Sequence, residues 1–175
     1  DTGEFHFQAW SQTLAAYEAY PDRVIPFLGL NGYATQDFTP GLLAYLDMQL
    51  ASGPFRGMGE LLSRHYGFSR TLPDGTTIQA GDYTLPIDSP EALDVMCLAA
   101  KRNAILNVHM ESTDETVAAL DEALDLYPNT KVIWAHQTHL KTYNGSEAEN
   151  ARQADPGQIA ALMNEHPNLY ADIAI

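Results

Sequence analysis

Metal-capable side chains stand at the ends of three successive apolar runs of the sequence. Glu60 lies near the end of the first run, and His109 and His136 lie at the ends of the next two. If the runs are neighbouring parallel strands, their carboxyl ends meet at one edge of a sheet. Imidazole and carboxylate groups bind zinc, manganese or iron, and a catalytic ion keeps one coordination position open for water. The spacing therefore predicts a divalent-metal site formed by these three residues, with zinc as the first expectation.

The alternation of side chains along the strands bears on whether the histidines are ligands. His109 shares a strand face with Asn107, and His136 shares one with Trp134. An inward polar side chain costs free energy unless it is satisfied, and a ligand role would satisfy it. For a lone histidine, a core residue hydrogen-bonded to backbone is the commoner explanation. Two histidines at the ends of successive strands, together with Glu60, favour the metal site.

Two side chains beyond the strand ends are candidates for catalysis. Glu111 follows His109 by two residues and could act as a general base or support a ligand, with an acid that caps the next helix as the alternative. His139 follows His136 by three residues and is predicted to act on the substrate, with a solvent-exposed loop histidine as the alternative.

Four further residues are candidates for contact with a small-molecule substrate: His65, Tyr66, Trp134 and Asp172. The first two lie in a long loop. Asp172 lies in the middle of a strand, where it could instead support the site from below or pair with a polar group of a neighbouring strand.

Five runs have the pattern of buried strands. They are apolar on both faces or nearly so, which is typical of parallel strands covered by helices. The runs are residues 24–30, 55–62, 104–110, 131–136 and 169–175. Apolar stripes at helical spacing predict helices between them, after an opening helix at about residues 5–20. The predicted N-terminal caps are Ser89 before Pro90, Ser112 with Glu115, and Asp155 with Gln158.

The loops favour one fold class. Turns from helix to strand are short, whereas strand-to-helix loops at about residues 63–88 and 137–154 are long. This asymmetry is typical of an α/β fold of the (β/α)₈ TIM-barrel type. Pro73-Asp74-Gly75 predicts a hairpin within residues 71–84, as a lid or a plain surface excursion. The alternative is a doubly wound sheet, but no glycine-rich phosphate loop follows a strand.

Composition excludes several classes of protein. The 175 residues are 45% hydrophobic and 18% charged, as in an ordinary globular domain. The net charge of −14 disfavours binding to nucleic acid, and no apolar stretch is long enough to predict a membrane partner. No targeting segment is seen, which slightly favours a cytoplasmic location. The single cysteine, Cys97, lies in a stripe with Leu93, Met96 and Ala100 and is expected to be buried.

Four segments resemble the amidohydrolase superfamily, and more narrowly its amidohydrolase-related branch, which also contains metal-dependent decarboxylases. They are FRGMGELL (55–62), ILNVHME (105–111), YPNTKVIWAHQT (127–138) and HPNLYADIAI (166–175). The resemblance implies a metal-dependent enzyme on a (β/α)₈ barrel. It further implies that Glu60 is the acid of strand 4, that His109 is the ligand of strand 5 and that His136 is the ligand of strand 6.

The same resemblance implies that residues 1–175 form a single, partial barrel domain. The five strands would be strands 3 to 7 of a barrel, so that strands 1, 2 and 8 would be missing. The His-x-His pair typical of strand 1 occurs nowhere in the chain, and His136 and His139 are spaced His-x-x-His. The chain is therefore expected to be part of a longer polypeptide.

Three functions are compatible with these features. The first is a metal-dependent hydrolase that cleaves an amide, lactone or ester of a small molecule. The second is a metal-dependent, non-oxidative decarboxylase, which would need a basic residue such as Arg64 or Arg70 to hold a substrate carboxylate. The third is a non-catalytic barrel fragment that self-associates as a homo-oligomer through its open edges.

Overall fold

The chain alternates between helices and strands along most of its length. The structure is a computed structural model, and it describes residues 3–30, 33–65, 68–81, 83–135 and 155–172. Within these ranges the α-helices are α1 (Gly3–Ala19), α2 (Pro40–Ser52), α3 (Pro90–Arg102), α4 (Asp114–Leu126) and α5 (Pro156–Glu165). A short 3₁₀ helix at Thr35–Asp37 precedes α2. No helix of the described part is long and apolar enough to cross a bilayer.

Five parallel strands form the main sheet. They are β1 (Phe27–Leu28), β2 (Gly57–His65), β6 (Ile105–Met110), β7 (Lys131–Ala135) and β8 (Leu169–Ala171), and their order in the sheet is their order in the chain. All five lie within the runs predicted as strands or overlap them, so those predictions are confirmed. The first run forms only two paired residues, because Pro26 lacks a backbone N–H and the strand begins after it.

The strand order identifies the fold class. A doubly wound sheet reverses its strand order at a switch point. Here each helix α2, α3, α4 and α5 precedes a parallel strand, and every new strand pairs with the preceding parallel strand. The fold is therefore α/β of the (β/α) barrel type, with five of its parallel strands in the described residues.

The two faces of β6 differ in burial. Leu106, Val108 and Met110 are buried and belong to the hydrophobic core, which α3 and α4 also join. Ile105, Asn107 and His109 alternate with them and are only half-buried. The covered face thus stabilises the sheet, and the other face carries the polar residues.

The inward face of α3 is not the predicted one. Its buried residues are Ala92, Val95, Met96, Leu98 and Ala99, and Cys97 is exposed. The expectation of a buried Cys97 is wrong. A second stripe at helical spacing is formed by Ala92, Val95, Met96 and Ala99. Two of these residues are small, so this stripe packs closely against the core and Cys97 faces solvent.

Two of the three predicted caps are correct. Ser89 Oγ accepts from Ala92 N at 3.3 Å, and Asp155 with Gln158 forms a capping box before α5. The cap of α4 is Thr113 with Thr116, not Ser112 with Glu115. A threonine hydroxyl can cap a helix as a serine hydroxyl does, so the sequence Ser112-Thr113 is compatible with a cap at either residue.

The long loop after β2 contains a hairpin around the predicted Pro-Asp-Gly turn, but it spans residues 68–80 and so begins before the predicted range of 71–84. β3 (Phe68–Thr71) pairs with β4 (Thr77–Ala80) across a turn in which Asp74 Oδ1 accepts from Thr76 N at 2.9 Å. The strand β5 (Tyr83–Thr84) then runs antiparallel to the end of β2. The Tyr83 hydroxyl donates to the carbonyl of Tyr33, which ties β5 to the loop after β1.

Asp47 joins α2 to α3 through an ion pair. It accepts hydrogen bonds from Arg102 Nε at 2.6 Å, Arg102 Nη2 at 2.9 Å and Lys101 Nζ at 3.0 Å. The hydrogen bond from Arg102, followed by that from Lys101, holds the pKa of Asp47 well below its usual value. Ionised Asp47 therefore stabilises the folded state.

We expect Asp47→Asn to lower the melting temperature slightly at neutral pH, because exposed ion pairs contribute little. The contribution of Asp47 is fully present above its unfolded pKa of about 3.9 and is lost as the pH falls through the lower folded value. The difference in melting temperature between the two proteins should therefore shrink in acid. Thermal melts at several pH values measure it, and a difference that grows on acidification would contradict the assignment.

Candidate metal centre

Glu60 and His109 are in contact across two neighbouring strands. His109 is next to the last residue of β6, whereas β2 continues to His65, so Glu60 is not near the end of its strand as the sequence predicted. Glu60 Oε1 lies 3.2 Å from His109 Nδ1, and the two side chains are 28% and 19% exposed. They are therefore partly screened from solvent but still accessible. Two of the three predicted ligands are thus adjacent in space, although they lie 49 residues apart in the chain.

An irregularity in β2 allows this contact. Met58 pairs with Leu106 and Leu61 pairs with Val108, so that Gly59 and Glu60 stand opposite a single residue of β6, Asn107. Such a bulge bends the strand and re-aims a side chain. Gly59 has φ +139°, and a Cβ there would lie 2.5 Å from the Asn107 carbonyl oxygen. Glycine is required for this close approach.

The charge around His109 favours its protonated form. Burial lowers the pKa of His109, but the hydrogen bond with Glu60 and the negative charges of Glu60 and Glu111 outweigh it, so the pKa is raised overall. Acidic groups that stabilise an imidazolium also stabilise a bound cation. The electrostatics of the site are therefore suited to a positively charged occupant.

Glu111 lies just beyond the end of β6. Its backbone N–H donates to the carbonyl of Arg64 at 3.2 Å, and its side chain is half-buried. Because Thr113 caps α4, Glu111 is not the N-cap residue of that helix. Its charge acts on His109. A catalytic role for Glu111 stays a prediction.

Trp134 lies on the covered face of the sheet. It pairs in register with Val108, whereas Ala135 pairs with His109. The indole is 1% exposed and its Nε1 donates to the Met110 carbonyl at 2.7 Å. These contacts are structural, and contact between Trp134 and a substrate stays a prediction.

Two of the other predicted site residues, Asp172 and His65, are among the residues that the structure describes. Asp172 follows β8 at the same edge of the sheet, is half-buried, and its backbone N–H donates to the Trp134 carbonyl at 3.2 Å. His65 ends β2 and pairs in register with Tyr83. Tyr66, His136 and His139 lie outside the described residues, so their roles stay predictions.

Arg64 holds β5 against β2. Its Nη1 donates to the Tyr83 carbonyl at 3.3 Å and to Thr84 Oγ1 at 3.1 Å. These contacts give the guanidinium a structural role beside the site. They do not favour its use as the carboxylate-binding residue that a decarboxylase would need.

A second group of metal-capable residues lies at the opposite edge of the sheet. Ligand atoms of Asp121, Glu165 and His166 lie within 4.8 Å of one another, and His166 Nε2 is 2.6 Å from Asp121 Oδ1. They line a cleft of about 370 Å³ together with Asp125 and Asn168. His166 is 7% exposed, as expected of a structural histidine paired with an acid. The sequence offered no periodic signal for this grouping, because its members come from α4, from the last residue of α5 and from the turn before β8.

Comparisons with known proteins give little beyond this geometry. No family model matches the sequence, and no curated protein matches it. Among solved structures, the chain is similar to the crystal structure of dihydroorotase from Campylobacter jejuni, with a TM-score of 0.44 and 16% identity. The alignment covers 86% of this chain and 36% of that one, so the chain spans about a third of the length of that protein. Strand order and register establish the fold class independently of this likeness.

Proposed function

We propose that this chain is part of a metal-dependent hydrolase of the amidohydrolase type, acting on a small molecule that contains an amide, lactone or ester. The proposal is carried by one observation, the contact between Glu60 and His109. His109 lies next to the last residue of β6, and the active sites of (β/α) barrels lie at the carboxyl ends of their strands.

The donor set fits a divalent cation. An imidazole nitrogen and a carboxylate oxygen that bind one ion at about 2.1 Å lie roughly 3.0–3.4 Å apart. The separation of 3.2 Å between His109 Nδ1 and Glu60 Oε1 falls in that interval. Nitrogen and oxygen donors together suit zinc, manganese or iron. His136 is proposed as a further ligand, from its place after β7 in the sequence.

The bound cation would lower the pKa of a water molecule and polarise a substrate carbonyl. The chain's own residues would fix the geometry. His109 and Glu60 are held by neighbouring strands, so their separation is set by the sheet. Glu111 adds negative charge beside them and is the proposed proton acceptor. Arg64 keeps β5 against the end of β2 and so shapes one wall of the site.

Zinc binding by the purified chain tests the proposal. We expect His109→Ala, and separately Glu60→Gln, to weaken the affinity for Zn²⁺ by about 100-fold or more, since even residues that only support ligands contribute about 10–100-fold. Isothermal titration calorimetry measures the affinity, and circular dichroism verifies folding. A double variant, His109→Ala with His136→Ala, tests both histidines together.

His166→Gln is the matched control, because it removes a buried histidine in the other metal-capable group. The proposal requires this variant to bind Zn²⁺ as the wild type does. If affinity falls in His166→Gln and not in His109→Ala, the ion belongs to the cleft at the opposite edge and the hydrolase proposal fails. A chain that binds no Zn²⁺ and self-associates would support the non-catalytic alternative.

A further inference from the structure

Asn107 carries a buried oxygen for which the described residues offer no partner. Its Oδ1 is shielded from solvent and accepts no hydrogen bond from any of them. Buried polar atoms in native proteins are nearly always paired, and an exception calls for an explanation, such as an ion or a ligand group. Asn107 is in the middle of β6, where an apolar residue would be the ordinary choice.

The position of Asn107 relates it to the candidate metal centre. It shares the half-buried face of β6 with His109, two residues further on. On the other side it is in contact with the bulge of β2, where a Cβ on Gly59 would lie 2.7 Å from the Cβ of Asn107. The next residue of that bulge is Glu60. Asn107 is therefore two residues from one proposed ligand along β6 and opposite the bulge of β2 that carries the other.

We propose that Asn107 supplies a neutral oxygen to the coordination sphere of the divalent cation that Glu60 and His109 would hold. This inference rests on the proposed function. An amide oxygen is a ligand for hard and borderline cations, and it adds no charge to a site that already contains two carboxylates. Coordination would also explain why Asn107 Oδ1 is buried, because the cation would replace the water that this atom loses on folding.

The expected signature is a divergence between stability and affinity. Asn107→Leu keeps the approximate volume and removes the unpaired oxygen, so the metal-free protein should melt at the same temperature as the wild type or higher. Its affinity for Zn²⁺ should fall by about 10–100-fold. Asn107→Asp should retain the affinity, since a carboxylate oxygen replaces the amide oxygen, while lowering the melting temperature of the metal-free protein. Asn107→Ala provides a second deletion of the oxygen if the leucine variant does not fold.

Titration of Zn²⁺ into the full chain, with melts in a chelator, separates the outcomes. Weaker binding by Asn107→Leu with unimpaired metal-free stability is the expected result. Wild-type affinity in Asn107→Leu and Asn107→Ala, or a parallel loss of stability and affinity, would overturn the role of Asn107. The His109→Ala variant in the same series distinguishes the two proposals. If it loses Zn²⁺ binding while Asn107→Leu does not, only the role of Asn107 fails, and if neither variant loses it, the metal centre itself is wrong.

Discussion

Replacing Gly59 with alanine is expected to lower the free energy of unfolding by about 2–6 kcal/mol, which is the sum of a strained backbone and an overpacked contact. The residue has φ +139°, and a Cβ would lie 2.5 Å from the Asn107 carbonyl oxygen. That oxygen belongs to the backbone of the central strand β6, so it has little freedom to move. β2 and β6 would have to separate at the bulge that presents Glu60.

Two other glycines provide matched controls for this variant. Gly75 also has a positive φ, +86°, but nothing lies within 4 Å of a Cβ there, and Gly81 is open and has no positive φ. Gly75→Ala should show the conformational penalty alone, and Gly81→Ala should be close to neutral. Urea unfolding followed by circular dichroism ranks the three variants. A Gly59→Ala protein no less stable than Gly75→Ala would rule out the close approach of β2 to β6.

Truncation of Trp134 to alanine is expected to cost about 3–5 kcal/mol, in the range for large aromatic residues in protein cores. The side chain is 1% exposed. Its loss would leave a cavity beneath the sheet and would remove the hydrogen bond from Nε1 to the Met110 carbonyl. Met110 follows His109, so the same change loosens the end of the strand that carries the proposed ligand.

Trp134→Phe separates the two contributions, because it keeps most of the apolar volume and lacks the N–H donor. It should cost about 1–3 kcal/mol, chiefly from the unpaired carbonyl. Chemical unfolding monitored by circular dichroism avoids dependence on tryptophan fluorescence. If Trp134→Ala is within about 1 kcal/mol of the wild type, the indole is not a core side chain and contact with a substrate becomes the better explanation.

The sequence predicted the parallel strands well because their signal is simple. Runs that are apolar on both faces, separated by amphipathic stripes and short Pro-containing turns, leave few alternatives to a covered parallel sheet. Two of those runs, β6 and β7, pair in parallel, with Leu106 opposite Val132 and Val108 opposite Trp134. Details that depend on one residue were less predictable. The buried face of α3 differs from the predicted one by about one residue, and the cap of α4 is Thr113 where Ser112 was predicted.

The site was predictable in outline for a different reason. The ends of parallel strands converge whatever the helices do, so Glu60 and His109 could be expected at one edge. Their actual contact depends on the bulge at Gly59, which alternation along a regular strand does not indicate. The position of Trp134 was harder to predict from the sequence. The alternation of side chains does not tell which face of the strand is covered, and the register of Trp134 with Val108 places its indole in the core.

The chain-order arrangement of the strands has a consequence for folding kinetics. The entropy lost on closing a loop grows with its length, so contacts between elements near in sequence form at the lowest cost. Among the connections between paired parallel strands from β2 onwards, the one from β6 through α4 to β7 is the shortest, since β6 ends at Met110 and β7 begins at Lys131. We expect this unit to be the nucleus onto which β2 and β8 add from either side. It also contains His109 and Asn107, so these two proposed ligands would be in place before β2 adds Glu60.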